Sequence, residues 1–404
     1  MSPSRKSGLG FVLVTLFMSM LGIGLVIPIL PNLVKSLAGG DTSYGARIYG
    51  AFVITYAVVQ FFFSPVLGSL SDRVGRRPVL ILSALGQGLD YLLLAFAPSL
   101  EWLFLGRVVA GLTGASIATA TAYIADVSPP EKQAQNFGLV GVAFGLGFIT
   151  GPFLGGFLGT VDLRLPFIVA SGLTLANALY GYFVLPESLL PQNRRAFSWN
   201  NANPVGALWA FRRYPAVVAL FVALFFWGLA QRGLESCWVL YTGHRYGWGL
   251  RDAAISLTSI GMVAAVVQGV LVKRFVKWLG EQKTFLLGLS IGAVIFVAYG
   301  LLTHGDWAFW IFPLGAFTTL SGPASQALLS KAVPPSEQGL LQGGVASVMS
   351  LTQIVGPVMA TQLLGFFISD DAPFYVPGMP FFVCSAFFVA AIAVAVATFR
   401  KYSL

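Results

Sequence analysis

The sequence predicts an all-α membrane protein with twelve transmembrane helices in two pseudo-symmetric six-helix bundles. Three observations carry that prediction. Charged residues are only 10% of the 404 positions and hydrophobic ones 56%, whereas soluble domains carry about 25% charge to cover their surface. The apolar runs are about 20 residues long, the length a helix needs to cross hydrocarbon; barrel strands are about half as long and alternate in polarity. The halves also repeat one another. Pro129-Pro130 and Gly151-Pro152 recur as Pro334-Pro335 and Gly356-Pro357, and Gly75, Gln133 and Gly138 match Gly280, Gln338 and Gly343, all at an offset of 205.

Taken in order, the first run, 9–31, has no small-residue cleavage site before Pro28, so it reads as a span and not a removable signal. Span 48–70 ends at a charged stretch, and span 78–97 follows that stretch and stops at Pro98. Spans 101–124 and 136–159 are parted by Pro129-Pro130, Glu131 and Lys132, and span 165–185 closes at Pro186. Residues 186–215, with Arg194, Arg195, Arg212 and Arg213, form a cytoplasmic linker between an N-terminal bundle, 1–185, and a C-terminal bundle, 216–404. Beyond it, span 216–241 stops short of His244, and span 252–272 stops at Lys273. Spans 284–303 and 307–330 flank His304, span 340–368 follows Pro334-Pro335, and span 376–398 runs up to Arg400.

Orientation follows from Lys and Arg. Seventeen of the 24 fall on the side of the termini and the even-numbered loops, five on the other side, and Arg107 and Arg232 lie within spans. Both termini are therefore expected in the cytoplasm of a cell whose inner membrane holds the chain. The net charge of +9 is accounted for by this bias toward an anionic leaflet, and nucleic acid is not an expected partner. Cys237 and Cys384 sit in apolar spans as small hydrophobes, and His244 and His304 lie at span ends. There is no Walker A loop, His-Glu-x-x-His, nucleophile elbow or Cys/His metal spacing, so neither an enzyme nor a metal site is expected. No cofactor is expected either, which leaves an ion gradient as the energy source.

Between spans 2 and 3, Gly68-Ser69-Leu70-Ser71-Asp72-Arg73-Val74-Gly75-Arg76-Arg77 packs charge and glycine into what reads as a short cytoplasmic loop. It resembles the G-x-L-[AS]-D-R-x-G-R-[RK] loop of the major facilitator superfamily. Gly106-Arg107 with Gly111 and Gly114 is similar to the Arg motif of drug:proton antiporters in that family, and Gly147, Gly151-Pro152 and Gly155-Gly156 to their antiporter motif. Gly22-Ile23-Gly24, Asp90-Tyr91, Tyr123-Ile124-Ala125-Asp126 and Gln338-Gly339 with Gln342-Gly343 are similar to the tetracycline-resistance exporters. That resemblance implies alternating access and export of small amphipathic or drug-like molecules in exchange for protons; a monomer is expected. Proton-coupled import or facilitated diffusion of an organic anion or metabolite is the other open reading. The pattern departs at Ser19, Ala264 and Gly292, where the exporters carry ionisable groups, and at Glu235 in span 7.

Ionisable side chains cost at least about 2.5 to 3.5 kcal/mol at the bilayer centre, so those retained there face a partner or a cavity. Asp90 and Arg107 lie eight residues before and nine after Pro98, at matching depth on antiparallel helices. Arg232 and Glu235 are three apart on one helix and can pair. Each pair is either a static bridge or a proton-coupling device, Glu235 taking a proton when substrate displaces its arginine. The resemblance lines the cavity with spans 1, 4, 7 and 10 and their neighbours, whose candidates are Ser19, Gln60, Thr113, Phe226, Trp227, Gln231, Trp238, Gln268 and Gln326. In the cytoplasmic motif, Gly68 and Gly75 are expected to allow close packing. Asp72 is expected to cap a helix of the other half, and Arg73, Arg76 and Arg77 to bind Asp126, Glu131 or Glu187.

Overall fold

The structure is a computed structural model and describes residues 3–114, 116–194, 211–334 and 338–402. Among the described residues all regular structure is helical. Helix α1 (Pro3–Val26) stops ahead of Pro28, and the short α2 (Leu30–Leu37) completes the first predicted span. Proline lacks the N–H a continuing helix needs, so the span breaks near its end.

The next helix corrects an expectation. Asp72 and Arg73 were expected in a loop, yet α3 (Thr42–Val74) is helical through both, and α4 (Arg76–Ala95) follows after Gly75 alone. At 1.5 Å per residue α3 is about 50 Å long, well beyond a hydrocarbon core of about 30 Å. The charged end can therefore be helical and still leave the membrane.

Span 101–124 is also two helices, α5 (Leu100–Thr113) and α6 (Ser116–Val127). The carbonyl of Gly114 accepts a hydrogen bond from Gln60 Nε2 at 3.1 Å. An oxygen held by a side chain from a neighbouring helix no longer serves only its own ladder. Helices α7 (Pro130–Val161) and α8 (Leu165–Val184) match their spans.

In the second half come α9 (Pro215–Tyr246) and α10 (Leu250–Val266), a π-turn over Val267–Leu271, and α11 (Val272–Leu301). Span 307–330 divides into α12 (Gly305–Ile311), a 3-10 stretch over Phe312–Leu320, and α13 (Ser321–Lys331); α14 (Gln338–Phe367) and α15 (Met379–Lys401) close the chain. The Thr318 and Thr319 hydroxyls bond the carbonyls of Gly315 and Ala316, and such back-bonding favours a tightened helix. Among the described residues nine helical stretches are long and apolar enough to cross a membrane, and one of them, Leu250–Leu301, covers two predicted spans. The broken spans at α5–α6 and α12–α13 bring the tally to the twelve that the sequence predicts.

The chain forms two compact units, Met1–Leu37 with Thr55–Asn203, and Ala38–Ile54 with Pro204–Leu404. The first is centred on Phe11, Val12, Leu16, Leu80, Tyr123 and Ile124. The second is built on aromatics, with Trp238 stacked on Phe312 at 3.8 Å between ring centres. Large apolar side chains such as Phe62, Phe183, Trp307 and Trp310 are exposed, which suits a lipid surround.

The repeat is visible in the backbone. Gly75 and Gly280 both have positive φ, +116° and +77°, a conformation that favours glycine. A methyl at Gly151 would lie 2.6 Å from Gly24 Cα, and one at Gly356 would lie 3.0 Å from the Leu229 carbonyl. Leu229 stands 205 positions after Gly24, so the same helix crossing is made twice by the same device.

Candidate functional site

A cavity of about 220 Å³ opens within the second unit, lined by Trp227, Gln231, Arg232 and Glu235 of α9 together with Gln268, Thr319, Pro323 and Met349. Residues 227, 231 and 235 recur every four positions, so α9 presents them as one stripe. Part of the facing wall comes from places where helices depart from α geometry, and Pro323 and Met349 come from α13 and α14. Gln268 sits in the π-turn and Thr319 in the 3-10 stretch, and such departures release backbone and re-aim side chains. Gly356 of α14 packs against Arg232 Cβ and the Leu229 carbonyl, so the Gly-Pro pair that repeats the antiporter motif also braces the arginine's stem.

Arg232 donates to Glu235 Oε2 at 2.5 Å, and both side chains are open to the cavity, 37% and 51% exposed. The remaining polar groups are uncharged. Gln231 Nε2 donates to Thr318 Oγ1 at 3.2 Å, while Gln231 Oε1 and the neighbouring Trp227 Nε1 are buried with no hydrogen-bond partner.

The second charged site lies in the first unit and is closed. Arg107 Nη2 donates to Asp90 Oδ2, with side chains 12% and 2% exposed. A methyl at Gly106 would lie 2.8 Å from Asp90 Oδ1, so the glycine of the Gly106-Arg107 pair lets α5 approach the carboxylate. The Arg107 guanidinium also stands 5.9 Å from the Tyr56 ring centre. Tyr56 OH accepts from Gln60, and Tyr91 OH from Gln87, which surrounds the ion pair with phenols and amides. Asp90 Oδ1 and Arg107 Nε lack partners, so a single contact joins the charges.

The cytoplasmic motif forms a third cluster. Asp72 pairs with Arg76 at 2.6 Å, and Arg76 Nε reaches Asp126 at 3.3 Å. Glu187 takes backbone amides where guanidinium was expected: N–H of Arg76 at 2.8 Å, of Arg77 at 3.3 Å, and of Ser188 and Leu189 at 3.0 and 3.1 Å. A carboxylate at the first turn of α4 satisfies otherwise orphaned donors. A methyl at Gly75 would collide with that carboxylate. Arg77 instead bonds the Tyr182 carbonyl at 2.6 Å, and Ser188 Oγ donates to Asp126 at 2.9 Å. Gly68 departs from the packing expectation, because a methyl there would meet nothing within 4 Å. Arg73 is exposed, and the Glu131 side chain lies outside the described residues.

The other candidates fall as follows. Trp238 is buried and donates to Ser256 at 3.0 Å, placing it in the aromatic core. Phe226 packs on Phe387, and Gln326 accepts from Gln342 at 3.5 Å. Thr113 turns its hydroxyl to the Val109 carbonyl at 2.8 Å, and Ser19 is buried in the first unit. Gly147, Gly151 and Gly155 seat α7 against the backbone of α1, Pro152 Cδ lies against Gly24, and Gly156 is buried. Reading the sequence missed Thr319, Gly322, Pro323 and Met349. The Gly322-Pro323 doublet inside an apolar span was the available signal.

The sequence profile described as Major Facilitator Superfamily matches residues 12–317. The chain belongs to that superfamily. It is an integral membrane transporter of a small-molecule substrate, not an enzyme. Within the superfamily it is 38% identical over 352 residues to the tetracycline resistance protein, class C, of Escherichia coli, covering 87% of this chain and 88% of that one. Multidrug resistance protein 1 of Bacillus subtilis strain 168 is 31% identical over 373 residues, with 91% and 92% covered. The crystal structure of the human organic anion transporter MFSD10 (TETRAN) superposes with a TM-score of 0.71 at 22% identity, covering 98% of this facilitator and 100% of that chain, a likeness of fold. The drug-antiporter and tetracycline-exporter resemblance read from the motifs is thereby supported across the facilitator's length.

Proposed function

We propose that this facilitator exports amphipathic, drug-like molecules, in exchange for protons, from a cell whose inner membrane holds it with both termini in the cytoplasm. The observation that carries the reading is the open Arg232–Glu235 pair, set in a cavity whose other walls are amide, hydroxyl, indole and apolar groups. Such a wall suits a substrate that is largely apolar with a few polar points. The proton's route needs a carboxylate that substrate can reach, and Glu235 is the one carboxylate among the lining residues.

In this scheme a substrate that draws Arg232 away leaves Glu235 to take a proton, and release of substrate restores the pair. Asp90 with Arg107 is the second coupling element, shut from solvent and so reached only when the first unit changes shape. The Glu187 and Arg76 cluster keeps the start of the linker seated on α4 through that change. The names of the relatives support drugs as the cargo. The test is accumulation of radiolabelled tetracycline and of ethidium in inside-out proteoliposomes under an imposed pH gradient. Uptake that collapses with the gradient supports the reading, and indifference to it, or outward-only equilibration, overturns proton exchange.

A further inference from the structure

The charged motif of the first unit has a counterpart in the second, at the offset of 205, and its charges are exchanged. Asp72, Arg76 and Asp126 correspond to Lys277, Glu281 and Lys331. The bridge survives the exchange: Lys331 Nζ donates to Glu281 Oε1 at 2.5 Å, where Arg76 Nε donates to Asp126. Its third member does not. Asp72 pairs with Arg76, whereas among the described residues no ion pair or hydrogen bond reaches Lys277, or Lys273 and Arg274 in the places of Gly68 and Ser69. No acidic residue lies between Asp252 and Glu281, and Glu281 is taken, so three bases stand uncompensated within five residues.

These bases continue an apolar stripe. Helix α10, the π-turn and the start of α11 run on as one helical stretch to Gly280, where the backbone leaves helical geometry. Along it Met262, Val266, Val270, Arg274 and Trp278 recur every fourth residue, and all are exposed. A repeat of four drifts about 40° per step in α geometry, and the wider π-turn in its middle winds more slowly and holds the drift back. Gln268, which lines the cavity, stands two residues from Val266 and from Val270, roughly on the opposite side of the axis. The stripe therefore faces away from the cavity. Beside its basic end, Phe275 packs against the Trp278 indole at 6.3 Å between ring centres.

We infer that this surface is a binding site for an anionic phospholipid. An acyl chain lies along Met262, Val266 and Val270, the phosphate is held by Lys273, Arg274 and Lys277, and the Trp278 indole sits at the depth of the glycerol. The order along the helix, apolar, then basic, then aromatic, is the order that hydrocarbon, phosphate and interface present to it. Guanidinium and ammonium groups suit phosphate oxygens, and a soluble anion would make no use of the apolar stripe. A segment that only fixed topology would need bases anywhere along it; here they stand where the exposed apolar side chains end, and the nearby carboxylate is withdrawn into its own bridge. The site takes a lipid and not the cargo, so it does not rest on the transport reading.

The test uses the purified full-length protein in mixed micelles and two lipids with the same acyl chains, dioleoyl phosphatidylglycerol and dioleoyl phosphatidylethanolamine. Retained lipid is counted by native mass spectrometry. Three bases at one headgroup predict that wild type holds the phosphatidylglycerol at least about tenfold more tightly. Lys273→Gln with Arg274→Gln and Lys277→Gln is expected to bring that ratio below about threefold. Lys283→Gln with Arg400→Gln and Lys401→Gln removes the same charge from the same unit and is expected to leave it above about fivefold. Equal retention of the two lipids by wild type overturns the inference without any variant being needed. Equal loss in the two triple variants shows that net charge alone attracts lipid, and overturns the site as well. A second measurement does not depend on the triple variants folding. Phosphatidylglycerol brominated high on its chains should quench more of the tryptophan fluorescence of wild type than of Trp278→Phe, and the same fractional quenching in both overturns the placement of the headgroup.

Discussion

Removing one member of the Asp90–Arg107 pair is the sharpest perturbation that the fold offers. Asp90 is 2% exposed and Arg107 12%, so Asp90→Asn leaves a guanidinium with little water. Its Nε has no partner already, and the Tyr56 ring 5.9 Å away is its remaining compensation. Breaking a buried pair from one side costs about 3 to 5 kcal/mol, enough to shift a folding equilibrium by a factor of roughly 100 to 4,000. Arg107→Gln alone strands the carboxylate at similar cost. Asp90→Asn with Arg107→Gln removes both charges, and a neutral amide pair of similar shape should recover more than half of the loss. Unfolding in mixed micelles gives the stability terms, and gradient-driven accumulation in proteoliposomes gives the activity. We expect the double variant to be folded and unable to accumulate drug, because coupling needs a group that can carry a charge. A folded double variant that transports at the wild-type rate refutes the coupling role. Single variants that each cost under about 1 kcal/mol refute the claim that the pair is shut from solvent.

Glu235→Gln should abolish gradient-driven accumulation while drug counterflow at equal pH stays measurable, and a coupled pH change of wild-type size in the vesicle lumen would count against it. Gly151→Val should lower stability by several kcal/mol, because even a methyl there falls 2.6 Å from Gly24 Cα and backbone cannot yield as a side chain can; unchanged yield and melting would show the α1–α7 crossing to be looser than it is drawn. Gly75→Ala should cost about 1 to 2 kcal/mol for its φ of +116°, besides displacing Glu187. Limited proteolysis should then cut the chain after Glu187 several-fold faster, and equal cutting would refute the capping role.

The twelve spans were legible because hydrocarbon imposes a length and a composition that sequence displays directly. The repeat was legible because Gly151-Pro152 and Gly356-Pro357 do the same steric work. Asp90 and Arg107 could be paired by counting from Pro98, since helix rise fixes depth. What escaped was set by side chain to backbone chemistry. Gln60 reaches the Gly114 carbonyl where a predicted span is divided, and Glu187 takes main-chain amides that no charge pattern reveals. Trp238 misled for a related reason. An aromatic in span 7 is equally compatible with cavity and core, and only the stack on Phe312 decides it. Likewise Thr319 joins the cavity from the 3-10 stretch, a departure from α geometry that apolar periodicity does not encode.

The π-turn over Val267–Leu271, closed by Val272 N–H on the Val267 carbonyl, amounts to one surplus residue stored in the helix. In an ordinary α-helix a deletion swings everything beyond it by about 100°, and the packing on both sides is lost together. Here a single-residue deletion at Gly269 can be absorbed by relaxing the turn to α, leaving α10 and α11 in register with their neighbours while Gln268 alone is turned. The cavity wall thus sits at a position where insertion and deletion, and not substitution only, can change its lining. On the proposed function, such a change would alter the cargo in one codon-sized step without rebuilding the bundle.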